Sequence, residues 1–168
     1  MIKKLPAYMS EEEFKHLVKS TQKRHLKLAF ILAFYSGLRI SEVVNLKKED
    51  FDLPGKRINI RGGKGGKDRV VPLPKGFPEA YLEFVPYPFG KRYLQKAFKK
   101  AITEAKITKT GLTFHSLRHS FAVMCLNRGM PLNHVQILLG HENIATTSIY
   151  TRVNPTDALK RYEDLWKD

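Results

Sequence analysis

The sequence predicts an α+β domain, mainly α-helical with a small antiparallel β-sheet. Apolar residues recur at helical spacing over most of the chain, and the period drops to two only between Ile58 and Leu73. A glycine-rich run, Gly62-Gly63-Lys64-Gly65-Gly66, joins the two alternating stretches as a hairpin connection. The length of 168 residues, with 42% hydrophobic and 11% aromatic content, suits a single domain spanning 1–168 with a proper core.

Taken in order, the elements start at Ser10-Glu11-Glu12-Glu13, a Ser-x-x-Glu capping box followed by Phe14, Leu17 and Val18 at helical spacing. A second apolar segment, Leu26 to Phe34, breaks at Ser36-Gly37. Helical periodicity resumes from Leu38 to Leu46, which puts Arg39 at a helix start. Ile58 and Ile60 alternate with Asn59 and Arg61 to form one strand, and Arg69 to Leu73 forms the other. Pro74 to Gly90 is read as a loop. Leu94, Ala97, Phe98, Ala101, Ile102 and Ala105 then make a helical stripe, with Lys96, Lys99, Lys100 and Lys106 on the other faces. A further helix runs from about His115 to Arg128 and stops at Gly129-Met130-Pro131. A short one, Leu132 to Leu139, is closed by Gly140, and Ala158, Leu159, Tyr162, Leu165 and Trp166 line one side of a terminal helix.

Composition narrows the function classes. Thirty Lys and Arg against sixteen Asp and Glu give a formal charge of +14, which calls for a polyanion; a solubilising surface or a ribosome-like binder is the plainer alternative. No helix pairs a cationic face with an aromatic insertion face, so membrane binding is not expected. The single Cys125 sits in the apolar stretch Phe121-Ala122-Val123-Met124-Cys125-Leu126, where it reads as a small buried hydrophobe. With no long apolar run and no signal-like start, the expectation is a soluble cytoplasmic protein.

With nucleic acid as the suspected partner, Arg39, Lys64, His115, Arg118, His141 and Tyr150 stand out. Each has a plainer reading. Arg39 could be a surface or ion-pairing residue, and Lys64 a solvated lysine or a passive phosphate contact in its glycine loop. His141 could be a helix-end cap, and Tyr150 a core or surface residue. His115 and Arg118, three apart, share a helix face and can converge on one phosphate. His115 and His119 have the spacing of two zinc ligands, but Ser116 stands where the metallohydrolase glutamate would follow. No acid cluster accompanies them, so a metal site is not expected, and His119 is read as a structural hydrogen-bonding histidine.

The stretches Leu38-Arg39-Ile40-Ser41-Glu42, Gly63-Lys64-Gly65 through Val71-Pro72-Leu73, His115-Ser116-Leu117-Arg118-His119, and Leu139-Gly140-His141-Glu142 through Ile149-Tyr150-Thr151 occur in that order. Together they resemble the tyrosine recombinase family, close to its Xer and phage-integrase branch, from about Leu5 to the C-terminus. The resemblance implies a site-specific recombinase or integrase catalytic domain that cleaves and rejoins double-stranded DNA. Tyr150 would attack the scissile phosphodiester, leaving a 3'-phosphotyrosyl link and a free 5'-hydroxyl. Arg39 and Arg118 would grip the nonbridging oxygens and Lys64 would protonate the departing oxygen. His115 would relay or accept the tyrosine proton, and His141 would donate to a phosphate oxygen. Elementary chemistry agrees: a phenol with pKa near ~10 is a weak nucleophile, and the attacked phosphate gathers negative charge that fixed cations must offset.

Family members usually carry an additional N-terminal helical domain, whereas this chain begins almost at the catalytic domain. The resemblance also implies a terminal helix that docks on a neighbouring protomer in a tetramer on DNA; its alternative is a helix folded onto its own core. A type IB topoisomerase, with a similar residue set, and a noncatalytic DNA-binding module are the competing functions.

Overall fold

The computed structural model describes residues 6–62, 66–140 and 155–167. Helix α1, Glu11–Ser20, opens on the capping box its sequence announces: the Glu13 amide donates to Ser10 Oγ at 3.1 Å, and the Ser10 amide donates to Glu13 Oε2 at 2.7 Å. Two donors left over at the helix start are thereby satisfied, and three glutamates in the first turn suit the positive end of the helix dipole. The buried face of α1 delivers Phe14, stacked on Phe34 with ring centroids 3.9 Å apart.

Phe34 belongs to α2, Arg24–Tyr35, which is apolar nearly all round and therefore runs through the interior. Against it pack α1, α4 (Lys91–Glu104) and α5 (Phe114–Asn127), with Phe30, Phe98 and Phe114 meeting edge-on or tilted. Helix α4 buries Leu94, Phe98 and Ala101 and exposes Lys96, Lys99 and Lys100, so its core stripe and basic outer face are as expected. Cys125 on α5 is fully buried, and burial pushes its thiol up to about 12.

The sheet is antiparallel in the order β1-β2-β3, with β1 Phe51–Asp52, β2 Arg57–Ile60 and β3 Arg69–Pro72. Ile58 lies opposite Val71 and Ile60 opposite Arg69. Opposed residues point to the same face, so Arg69 shares the inward face of Ile60 and Val71.

Several elements differ from the expected ones. Helix α3 is only Ile40–Asn45, because Leu38 is a buried link and Arg39, extended at φ −71° and ψ 153°, caps the helix from outside. Strand β1 was not anticipated. The stretch read as a loop from Pro74 to Gly90 contains a 3-10 segment, Glu79–Phe84.

Helix α6, Leu132–Leu139, ends at Gly140 in the left-handed conformation, φ 67°. Helix α7, Pro155–Leu165, lies on α6 and β3 of its own chain. Tyr162 donates to the Tyr35 carbonyl at 3.1 Å and stacks on Trp166, whose ring also carries the Arg128 guanidinium 4.3 Å from its centroid. Helix α7 is thus held to its own chain by both backbone and ring contacts. Among the described residues no helix is long and apolar enough to cross a membrane.

Candidate active site

The site is built at the corner between α2 and α3. Ser36, the buried residue that closes α2, donates its hydroxyl to the Pro72 carbonyl at 2.7 Å and so pins the corner to β3. Gly37 turns the chain at φ 68°. A Cβ there would meet Phe121 Cδ1 at 2.7 Å and Leu139 Cδ2 at 3.0 Å, so backbone conformation and space both demand glycine. Two residues on, Arg39 emerges with its side chain about a quarter exposed, at 23%.

Its partner is Glu42, one turn into α3. The Arg39 amide donates to Glu42 Oε2 at 2.8 Å and its Nη1 to Oε1 at 3.0 Å. From the other side Arg69 forks onto the same carboxylate, Nη1 to Oε1 at 2.5 Å and Nη2 to Oε2 at 2.8 Å, while its Nε donates to the Leu138 carbonyl at 2.9 Å. Burial alone would raise the Glu42 pKa; the hydrogen bonds and charges of Arg69 and Arg39 win, and the carboxyl is held below the ordinary range.

Arg118, on α5, is buried at 4% exposure, which is rare for an arginine unless its donors are matched. Nη1 donates to the Gly37 carbonyl at 2.7 Å and Nη2 to the Leu139 carbonyl at 2.5 Å. Burial and then repulsion from Arg39 and Arg69 push its pKa down to about 9, with Glu42 offsetting only part. It therefore stays charged at neutral pH. Three guanidinium groups thus surround one carboxylate, and this local excess of positive charge is what an incoming anion would neutralise.

Of the six residues expected at the site, the structure brings Arg39 and Arg118 together through the Gly37 turn. His115 lies on the Arg118 helix, exposed, its ring at 85° to His119 with centroids 4.6 Å apart. His119 titrates below its ordinary value through burial and the nearby Arg118 charge. Lys64, His141 and Tyr150 lie outside the described residues. The flanks of the first are in place: the Gly62 amide donates to Asp68 Oδ1 at 2.9 Å at the base of the hairpin. A cleft of about 400 Å³ runs from Arg39 to Gly62, lined by Ser41, Asn45, Lys47 and Arg61 among others. Among the described residues no three His, Cys, Asp or Glu side chains are grouped to hold a metal.

Glu42 and Arg69 were not singled out from sequence. Glu42 has a local signal, the third position of a helix that follows Arg39, whereas Arg69 is turned inward only by the strand register.

The chain and its fold match known proteins. Residues 7–157 match the phage integrase family, and the chain belongs to that family. Tyrosine recombinase XerA of Pyrococcus horikoshii is 39% identical over 166 residues, covering 90% of this chain and 58% of the relative. Tyrosine recombinase XerC of Halalkalibacterium halodurans is 34% identical over 183 residues, covering 90% and 59%. The chain thus spans about three fifths of the length of these relatives. The crystal structure of XerA recombinase superposes with a TM-score of 0.70 at 29% identity, over 98% of this chain and 67% of that one. XerH site-specific recombinase bound to its difH substrate superposes at 0.72 and 27% identity, over 100% and 56%. The lambda integrase catalytic core, at 19% identity and TM-score 0.66 over 80% and 91%, shares the fold.

Proposed function

We propose that this chain is the catalytic domain of a site-specific tyrosine recombinase, cutting and rejoining double-stranded DNA through a covalent link to Tyr150. The observation that carries the reading is the pair Arg39 and Arg118, hung from one glycine turn and under-neutralised by a single carboxylate. Planar forks that stay charged suit the nonbridging oxygens of a phosphodiester, and among the described residues Arg118 gives only two of its five N–H donors to backbone carbonyls.

In the proposed step Tyr150 Oη bonds to phosphorus as the bond to the 5'-oxygen breaks. Lys64 gives that oxygen its proton, and His115 relays or accepts the proton Tyr150 loses. Arg39, Arg118 and His141 stabilise the charge that builds on the nonbridging oxygens. One phosphate ester is exchanged for another, so no ATP, metal or other cofactor enters the scheme. The released 5'-hydroxyl can attack a partner strand, which distinguishes recombination from the relaxation a type IB topoisomerase performs.

XerH is described in complex with difH before and after cleavage, and lambda integrase as a tetramer on a Holliday junction. By analogy we assign this chain a duplex DNA partner, self-association to a tetramer on DNA and a cytoplasmic location. Because α7 packs on its own chain, a role for it in assembly would use its exposed face, Lys160, Arg161, Glu163 and Asp164.

The test is a pool of nicked suicide duplexes with randomised arms. Wild type should form a denaturant-stable protein–DNA adduct and Tyr150→Phe should form none; an adduct surviving that substitution would overturn the assignment.

A further inference from the structure

We propose that Arg69 is a positioning residue of the active site, acting through Glu42 on Arg39 and through the end of α6 on the chain that leads to His141. This rests on the recombinase reading above.

Arg69 is 10% exposed and enters the site from β3, the strand that leaves the hairpin carrying Lys64. It makes three directed contacts, two to the Glu42 carboxylate and one to the Leu138 carbonyl. The neighbouring Leu139 carbonyl is taken by Arg118. Two arginines from different elements therefore hold consecutive carbonyls at the end of α6. The Arg69 side chain also runs past Gly140 so closely that a Cβ there would lie 2.8 Å from Arg69 Cδ, at a position already at φ 67°.

The electrostatic consequence falls on Arg39. A buried carboxylate must be matched, and a bidentate arginine matches it best. With Arg69 supplying that fork, Arg39 spends a single guanidinium N–H on Glu42 and keeps its other donors for a phosphate. Without Arg69, Glu42 has only Arg39 to neutralise it, and the carboxylate competes with DNA for the same guanidinium. Arg69 touches neither nucleophile nor phosphate in this scheme.

The experiment compares Arg69→Met, Glu42→Gln and the double variant, reading the first-order rate of Tyr150 adduct formation at saturating nicked duplex alongside half-saturation by DNA. Arg69→Met should slow the adduct step tenfold or more while half-saturation stays within threefold. The double variant should be faster than Arg69→Met, because removing the orphaned carboxylate frees Arg39. A merely packing role predicts the opposite, a second loss added to the first. Arg69→Lys, which keeps the charge but lacks the fork, should fall between wild type and Arg69→Met and serves if the methionine variant does not fold.

Hydrogen exchange at the Arg39 and Gly140 amides in the DNA-free protein gives a readout independent of cleavage, and Arg69→Met should accelerate both. A wild-type adduct rate in Arg69→Met, a double variant no faster than the single, or unchanged exchange overturns the inference. A wild-type protein with no Tyr150-dependent adduct sinks the recombinase reading instead, and the exchange result still decides whether Arg69 braces the site.

Discussion

Glu42 shows how one side chain can organise several others. Among the described residues it is the only acid placed among Arg39, Arg69 and Arg118, and its charge is what allows two of them to be packed side by side. Its folded-state pKa is depressed, so the stability it contributes is fully present above the unfolded carboxylate value, about 4.3, and is lost as pH falls through the lower folded value. Other depressed carboxylates, Glu11 and Glu13 among them, contribute to the same acid limb. The difference between variants isolates Glu42: between pH 5 and 3, the stability of wild type should fall more steeply than that of Glu42→Gln, as followed by urea denaturation at each pH. Parallel acid limbs would mean that the ion pair is not intact in solution.

At the scale of elements, the α2–α3 corner is the feature on which the site depends. Gly37 supplies a left-handed turn, a carbonyl for Arg118 and the space between Phe121 and Leu139. Alanine there meets both a conformational penalty of about 1 kcal/mol and an overpacking cost of roughly 1–3 kcal/mol. Gly37→Ala should therefore lower stability by about 2–4 kcal/mol in chemical denaturation, and slow adduct formation as well, because the turn whose carbonyl holds Arg118 must shift.

Much of this level was legible in the sequence, since the periodic helices and the Ser10 capping box announce themselves locally. What escaped lacks a local signal. Phe51–Asp52 is too short to display a period and becomes a strand only by pairing with β2. Glu79–Phe84 is surrounded by Pro74, Pro78, Pro86 and Pro88, whose punctuation reads as loop. For the site, Arg39 and Arg118 stood out by chemistry and motif, whereas Arg69 becomes visible only once the register sets it opposite Ile60 and turns it inward. Long-range hydrogen bonds such as Arg118 to Gly37 join residues 81 apart in the chain, and no spacing rule encodes them.

The whole molecule adds charge and continuity. The formal charge of +14 is carried partly by exposed lysines on α4, so binding to duplex DNA should have a large component indifferent to sequence. Neutralising about six phosphates would cost roughly a thousandfold in affinity between 50 and 200 mM salt, a slope readable from fluorescence anisotropy on a duplex of arbitrary sequence. A shallow slope would mean that the charge is dispersed away from the bound face. Family membership covers residues 7–157, and the described arginine cluster lies within that span.

The central claim, that these cations serve a tyrosine which becomes covalently attached to DNA, is tested most directly by locating the attachment. Trapped adduct, digested with nuclease and protease and read by mass spectrometry, should show the residual nucleotide mass on the peptide containing Tyr150, with the fragment ions placing it on that side chain. Attachment at any other residue, with the Tyr150 peptide unmodified, would contradict the account.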